Sequence, residues 1–344
     1  MSIVLPTLTQ QIEAAHDLAA LSQAASQITG LMAAQHHSGT PIALLAQQVQ
    51  HLNARLFERA WHLVAPADLV AHSCLLVMGS EGRGEQLLKT DQDNALILHD
   101  DYAPPADLAA ISQHFSRALA DFGYPMCPGH IMVSNPQWRR QAREWGQITR
   151  QWLIMPDTDS LMNLAIFMDA QTVCGDARLL QEVQHGLRCL ATDNDIMLSR
   201  FAAAVDTFGD APDWAPWWPQ WLHLGDAHPL LNLKKAGIFP LVHGVRSLAL
   251  AHHVLASSTT ARLERLVQDG HLGAAMGQNL IESLHFLMAL KLQSGLVERA
   301  SQQPVTGMVN TDQLSPADQA QLKVALDGVR QFKVWLRPRF HLDA

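Results

Sequence analysis

No block of like charge, no low-complexity tract and no repeat of fixed period occurs in the 344 residues of this chain. The missing repeat excludes solenoids and propellers, and the missing polar tracts exclude extended disorder. Charged residues make up only 16% of the sequence, 24 basic against 32 acidic, for a formal net charge of -8. Such a surface does not draw a polyanion by bulk charge, so nucleic acid is not an expected partner. No run of about 18 apolar residues is present, which argues against a membrane span. The opening "MSIVLPTLTQQIEAAHD" has no basic start, long apolar stretch or small-residue cleavage site. A secretory leader is therefore not expected, and the cytoplasm is the expected compartment. Four cysteines, Cys74, Cys127, Cys174 and Cys189, lie far apart and form no C-x-x-C pair, so reduced, buried thiols are expected. The 18 histidines include no H-E-x-x-H, and the adjacent pairs at 36, 37 and 252, 253 diverge on helical stretches, which disfavours zinc.

What is present is a globular composition, 48% hydrophobic, in a chain long enough for two cores. Residues 7–34 and 41–64 carry apolar side chains at helical spacing, as in Leu44, Leu45, Val49, Leu52 and Leu56, and form a helical N-terminal extension, 1–68. "CLLVMG" (74–79) and "ALIL" (95–98) are short apolar runs bounded by turn signals, which suits buried strands. "EGRGEQLLK" between them has room for about two helical turns. Pro104 and Pro105 open another helix to Phe122, and "PMCPGHIMVS" (125–134) is a candidate third strand, interrupted by proline. Helical patterns dominate from "PQWRRQAREW" onwards. "DAPDWAPWWPQW" (210–221) cannot be one continuous helix, and its tryptophans at 214, 217, 218 and 221 are expected to anchor a connection. Helices are expected over 240–257, 259–269, 272–298 and 315–336, with starts at Thr259 and at Ser315 followed by Pro316.

The chemistry concentrates in "LLVMGSEGRGEQLLKTDQDNALIL" (75–98). Strand alternation sends Asp91 and Asp93 to one side and Gln92 to the other. Two carboxylates that close repel unless a cation sits between them, and magnesium held by carboxylates and phosphate oxygens is the usual resolution. Gly79 ends a strand and allows close backbone approach, while Ser80 is a candidate cap for the next helix. The amides of that helix start, with Gly82 and Gly84 keeping side chains away, would seat a phosphate. Other phosphate and metal motifs fail: Leu88 stands where a P-loop needs its second glycine, "GSEGRG" has the wrong offsets for a dinucleotide fingerprint, and Leu96 replaces the EF-hand glycine. His130, on the candidate third strand, is read as a hydrogen-bonded, partly buried side chain.

Gly-Ser, ten residues, then Asp-x-Asp resembles the signature of the nucleotidyltransferase superfamily that includes polymerase beta. "GSEGRGEQLLKTDQDNALI" is similar more narrowly to signal-transduction nucleotidyltransferases of the DUF294 family, relatives of the PII uridylyltransferase. "LNLKKAGIFPLVHGVRSLALAHHVLASSTTARLERL" (231–266) resembles that family's C-terminal substrate-binding domain. The resemblance implies an α+β fold: a polymerase beta-like domain with a mixed sheet, 69–188, followed by an all-helical bundle, 189–344. It implies that Gly79 and Ser80 hold the triphosphate of an NTP and that Asp91 and Asp93 bind two magnesium ions. Arg83 and Lys89 become candidates to neutralise phosphate, with a solvated helix face as the alternative, and Glu85 is expected to orient Arg83. Lys234, Lys235 and Arg246 become candidates for the acceptor or the phosphates. Members of the superfamily usually add a third carboxylate. Segment 125–134 contains none, which leaves Asp169 in "LAIFMDAQTVCGD" as the substitute. The implied activity is magnesium-dependent transfer of an NMP from an NTP to a hydroxyl acceptor, a regulatory protein or a small molecule, with release of pyrophosphate. The alternatives are a catalytically weak nucleotide-binding module acting through a partner protein, and a small-molecule resistance enzyme.

Overall fold

The computed structural model describes residues 5–155, 158–191, 195–206 and 230–342. The four tryptophans at 214–221 lie outside the described residues. The chain divides into two compact units, 1–190 and 191–344.

The first unit opens with α1 (Leu5–Ala14), α2 (Leu18–His37) and α3 (Ile42–Val64), which pack on one another. The apolar periodicity of 7–34 is broken at Asp17, whose extended backbone and carboxylate, accepting from the Ala20 amide at 2.8 Å, cap α2. The helix α3 buries Leu45, Val49, Leu52, Leu56 and Ala60 at helical spacing. Its Phe57 and Trp61 meet Tyr124 and Phe115 edge to face. The helices expected as a separate extension therefore belong to the same compact unit as the sheet.

After α4 (Ala67–Ala71) come β1 (Ser73–Val77), the single turn α5 (Gly79–Gly82), β2 (Asn94–Leu98) and α6 (Leu108–Asp121). They are followed by β3 (Arg139–Gln141), α7 (Ala142–Ile154), α8 (Thr158–Phe167), β4 (Gln171–Gly175) and α9 (Ala177–Ala191). The strand order is β3-β2-β1-β4, mixed: β1 is antiparallel to β2 and β4, and β2 is parallel to β3. Every residue of β1 and β2 is buried, which is why both read as continuous apolar runs.

Segment 125–134 is not a strand, contrary to expectation. Pro125 and Pro128 have no amide to donate, and His130 takes a left-handed backbone with φ 53°. The true edge strands are β3 and β4. Between β1 and β2 only one helical turn forms, because Gly84 (φ 67°) turns the chain out of the helix.

The second unit is mainly helical: α10 (Asp195–Ala203), α11 (Phe239–Ala251), α12 (Thr259–Gln268), α13 (Ala274–Ala300) and α14 (Pro316–Leu336). It also contains an antiparallel ribbon of β5 (Leu230–Asn232) and β6 (Met308–Asn310), so it is not all-helical. Leu231 and Val309 of the ribbon pack with Leu287, Leu290, Leu322 and Leu326 in one core. Ser315 caps α14 as expected, while α12 is capped by Ser258, one residue before the expected start. Among the described residues α13 alone is long and apolar enough to cross a membrane, although no span is expected from the sequence. It buries Leu280, Leu284, Leu287 and Leu292 and packs along α14 as a core helix.

Candidate functional site

Antiparallel pairing of β1 and β2 brings the end of one strand to the start of the other. Val77 sits opposite Asn94, and the Met78 amide donates to the Asp93 carbonyl at 2.9 Å. Gly79 thereby lies beneath the Asp93 side chain: a Cβ at Gly79 would stand 2.6 Å from Asp93 Oδ2, on a backbone with φ 56°. Replacing it (Gly79→Ala) is expected to cost about 1–2 kcal/mol and to displace the Asp93 carboxylate. Thermal melts should show a modest fall in the midpoint. The amides of Gly79, Ser80 and Glu81 head α5, where helix geometry offers them no acceptor within the helix. Ser80 is not the cap. Met78 holds that position, and the Ser80 hydroxyl donates to Gln86 Oε1 at 3.3 Å.

Around Asp91 and Asp93 the backbone alternates. Gln92 and Asn94 turn inward and are buried, whereas both aspartates are partly exposed. Residues 91–93 precede β2 instead of lying on a strand as expected, and the inward pair sews the 124–133 loop to this segment: Gln92 Nε2 donates to the Tyr124 carbonyl, and Asn94 Oδ1 accepts from the Val133 amide. That stitching delivers Cys127. One ligand atom from each of Asp91, Asp93 and Cys127 lies within 4.8 Å of the others. Burial, with the Asp93 charge beside it, pushes the Cys127 thiol up to about 11 and keeps it protonated at neutral pH. Two accessible carboxylates this close offer hard oxygen donors that fit a divalent cation such as magnesium.

The expected cationic partners of phosphate are engaged with protein groups. Arg83 is buried: its Nε donates to Glu85 and a terminal nitrogen to Asp169 Oδ2, each at 2.6 Å. Burial disfavours its charge, but the two carboxylates more than offset this and raise its pKa. Lys89 donates to the carbonyls of Ala25 and Phe122 and lies over the Tyr124 ring. Asp169, the expected third carboxylate, has no solvent exposure and serves as the Arg83 partner. His130 sits in an exposed turn, neither on a strand nor partly buried.

Two residues escaped the sequence reading. Glu81 is buried and accepts from Asn53 Nδ2 of α3 at 2.9 Å, while Asn53 Oδ1 accepts from the Tyr124 hydroxyl. An asparagine within the apolar stripe of α3 was the available signal. Burial, opposed by the Asn53 hydrogen bond, pushes Glu81 up to about 8 from its usual 4.5. The folded protein thus keeps a proton that the unfolded chain releases. This contribution to stability is fully present below pH 4.5 and is lost as pH rises through about 8, at up to about 1.4 kcal/mol per pH unit. Urea melts between pH 5 and 9 should show this slope in the native protein and a flatter profile for Glu81→Gln.

In the second unit, Lys234 and Lys235 are exposed on the π-helical turn Lys234–Ile238. Arg246, by contrast, is buried on α11 with its guanidinium 3.2 Å from His243 Nδ1, so it does not offer the open cation expected of it.

Comparison with known families gives two matches. The model described as "Putative nucleotidyltransferase DUF294" matches residues 26–159, and that described as "Putative nucleotidyltransferase substrate binding domain" matches residues 195–340. The first match begins inside α2, so it takes in α3 as well as β1, β2 and β3, and it ends before β4. No curated protein matches the chain.

Proposed function

The chain belongs to the DUF294 nucleotidyltransferase family, and from that premise we propose that it moves a nucleoside monophosphate from an NTP to a hydroxyl acceptor, with a regulatory protein as the first candidate. The observation that carries this reading is the gathering of the Asp91 and Asp93 carboxylates beside the Gly79 turn at the head of α5.

Asp91 and Asp93 would hold one or two magnesium ions, which supply neutralisation of triphosphate charge and a more acidic acceptor hydroxyl. The amides of Gly79 and Ser80 would face the phosphates, and the small side chains there permit close approach. Glu81, pushed up to about 8 by burial, is mainly neutral at pH 7 and so adds little negative charge next to the polyphosphate. As the acceptor oxygen bonds to the α-phosphorus, the bond to pyrophosphate breaks, and the acceptor's proton passes to an aspartate oxygen or to water. Lys234 and Lys235, exposed within the segment matched by the substrate-binding family, are the cations we assign to the acceptor. A reducing compartment such as the cytoplasm is the setting we propose for the reaction. All four cysteines are free, though Cys189 is exposed where a buried thiol was expected.

A second reading is favoured by one observation: Asp169, enclosed with Arg83, is not free to act as a general base. The protein would then bind magnesium and NTP and signal through a partner with little turnover. Incubation with each radiolabelled NTP, magnesium and cell lysate separates the two. Label on a protein or a small molecule supports transfer. Magnesium-dependent binding without label supports the sensor. Neither result, with folded protein, removes both.

A further inference from the structure

A second cluster of metal-ligating side chains lies between α3 and β4. Glu58 and His62 are one turn apart on α3 and so share a face. Cys174 lies on β4, paired with Leu75 of β1, and its side chain is buried. A bulge at Val173 separates Cys174 from Thr172, so that Thr172 reaches Cys74 while Cys174 reaches His62. One ligand atom from each of Glu58, His62 and Cys174 lies within 4.8 Å of the others, and His62 Nε2 is 3.4 Å from Cys174 Sγ. In tetrahedral zinc, with Zn–S about 2.3 Å and Zn–N about 2.05 Å, those two ligand atoms stand about 3.6 Å apart.

We propose that Glu58, His62 and Cys174 form a zinc site that clamps α3 to the edge strand β4. The donor set decides the metal: thiolate and imidazole select zinc over magnesium, the reverse of an all-carboxylate pair. His62 is exposed and Glu58 partly so, which leaves a fourth position open to water. Two terms oppose binding: burial pushes the Cys174 thiol, which must lose its proton, up to about 11, and Glu58 has a partner of its own. Glu58 pairs with Arg55 at 2.8 Å, a surface ion pair worth about 0–1 kcal/mol. Binding forms an S–Zn bond and breaks the Cys174 S–H bond, and the proton goes to buffer. The clamp bears on the nucleotidyl motif, because Asn53, on the same helix, holds Glu81.

Cobalt(II) provides the test, added to the full chain in excess magnesium, which occupies hard oxygen sites. One equivalent should produce a near-ultraviolet thiolate charge-transfer band with tetrahedral visible bands and release one proton. The band should survive Cys127→Ser, vanish in Cys174→Ser, and need at least about tenfold more cobalt in His62→Ala, whose exposed ring carries no fold-critical packing. A thermal melt should show zinc raising the midpoint of the native protein and not of Cys174→Ser. Loss of the band in Cys127→Ser with retention in Cys174→Ser would assign the metal to the aspartates and overturn the proposal, as would absence of any stoichiometric band. None of these readouts depends on nucleotidyl transfer.

Discussion

Asp93→Asn is expected to lower nucleotidyl transfer at least about 10³-fold while leaving the fold intact. The substitution keeps a side chain of the same shape over Gly79 and removes only the charge. A loss of that size is about 4 kcal/mol of transition-state stabilisation, at 1.36 kcal/mol per decade. Asp91→Asn should behave alike, and the double variant should lose little more than either single one, because two carboxylates holding the same cation would act as a unit. Stability should move the other way. With no cation present, two carboxylates with oxygens within 4.8 Å of each other repel, so each Asp→Asn change should raise the melting midpoint slightly. Single-turnover transfer and urea melts on the same preparations check both. Transfer above a tenth of the native rate in the double variant would move the activity away from these two aspartates.

Legibility of this site in the sequence followed the range of the interaction involved. The placement of Asp91 and Asp93 on one side, opposite Gln92, depends only on the two-residue period of extended backbone, and it could be read directly. The buried strands β1 and β2 and the long helices α3 and α14 were equally local. The strands β3 and β4 were not, since "RRQ" and "QTVCG" carry no alternation and pair only because neighbouring strands present them an edge. The cationic residues divide in the same way. Glu85, two residues on, is the Arg83 partner the sequence suggests, whereas its other partner Asp169 lies 86 residues away and the Lys89 acceptors Ala25 and Phe122 lie 64 and 33 residues away. Cys127 joins the aspartates only because Gln92 and Asn94 stitch its loop to the strand. Asn53 is the intermediate case: its polarity in an apolar stripe was visible, its partner Glu81 was not.

Asp169→Ala is expected to destabilise the first unit by about 3–5 kcal/mol, the largest stability loss of any substitution considered, because it strands half of the neutralisation of a buried guanidinium. Arg83 would retain Glu85 at 2.6 Å, but its other hydrogen bond would face a cavity. The loss should propagate to α5, since Gly82 packs so closely on the Asp169 carbonyl that a Cβ there would stand 2.1 Å from the oxygen. Replacing both charges by apolar residues, Asp169→Leu with Arg83→Met, should recover much of the loss, as removal of a whole buried ion pair often does. The same site separates a positioning role from a catalytic one. Asp169→Asn keeps a hydrogen-bond acceptor for Arg83, so if Asp169 only holds α5 in place, NTP binding and transfer should decline together and in proportion to the fall in stability. A transfer rate reduced more than about 10²-fold, with NTP affinity and the urea midpoint unchanged, would instead mean that this carboxylate takes part in the chemistry. The enclosed geometry, with no exposure at Asp169, favours the positioning outcome.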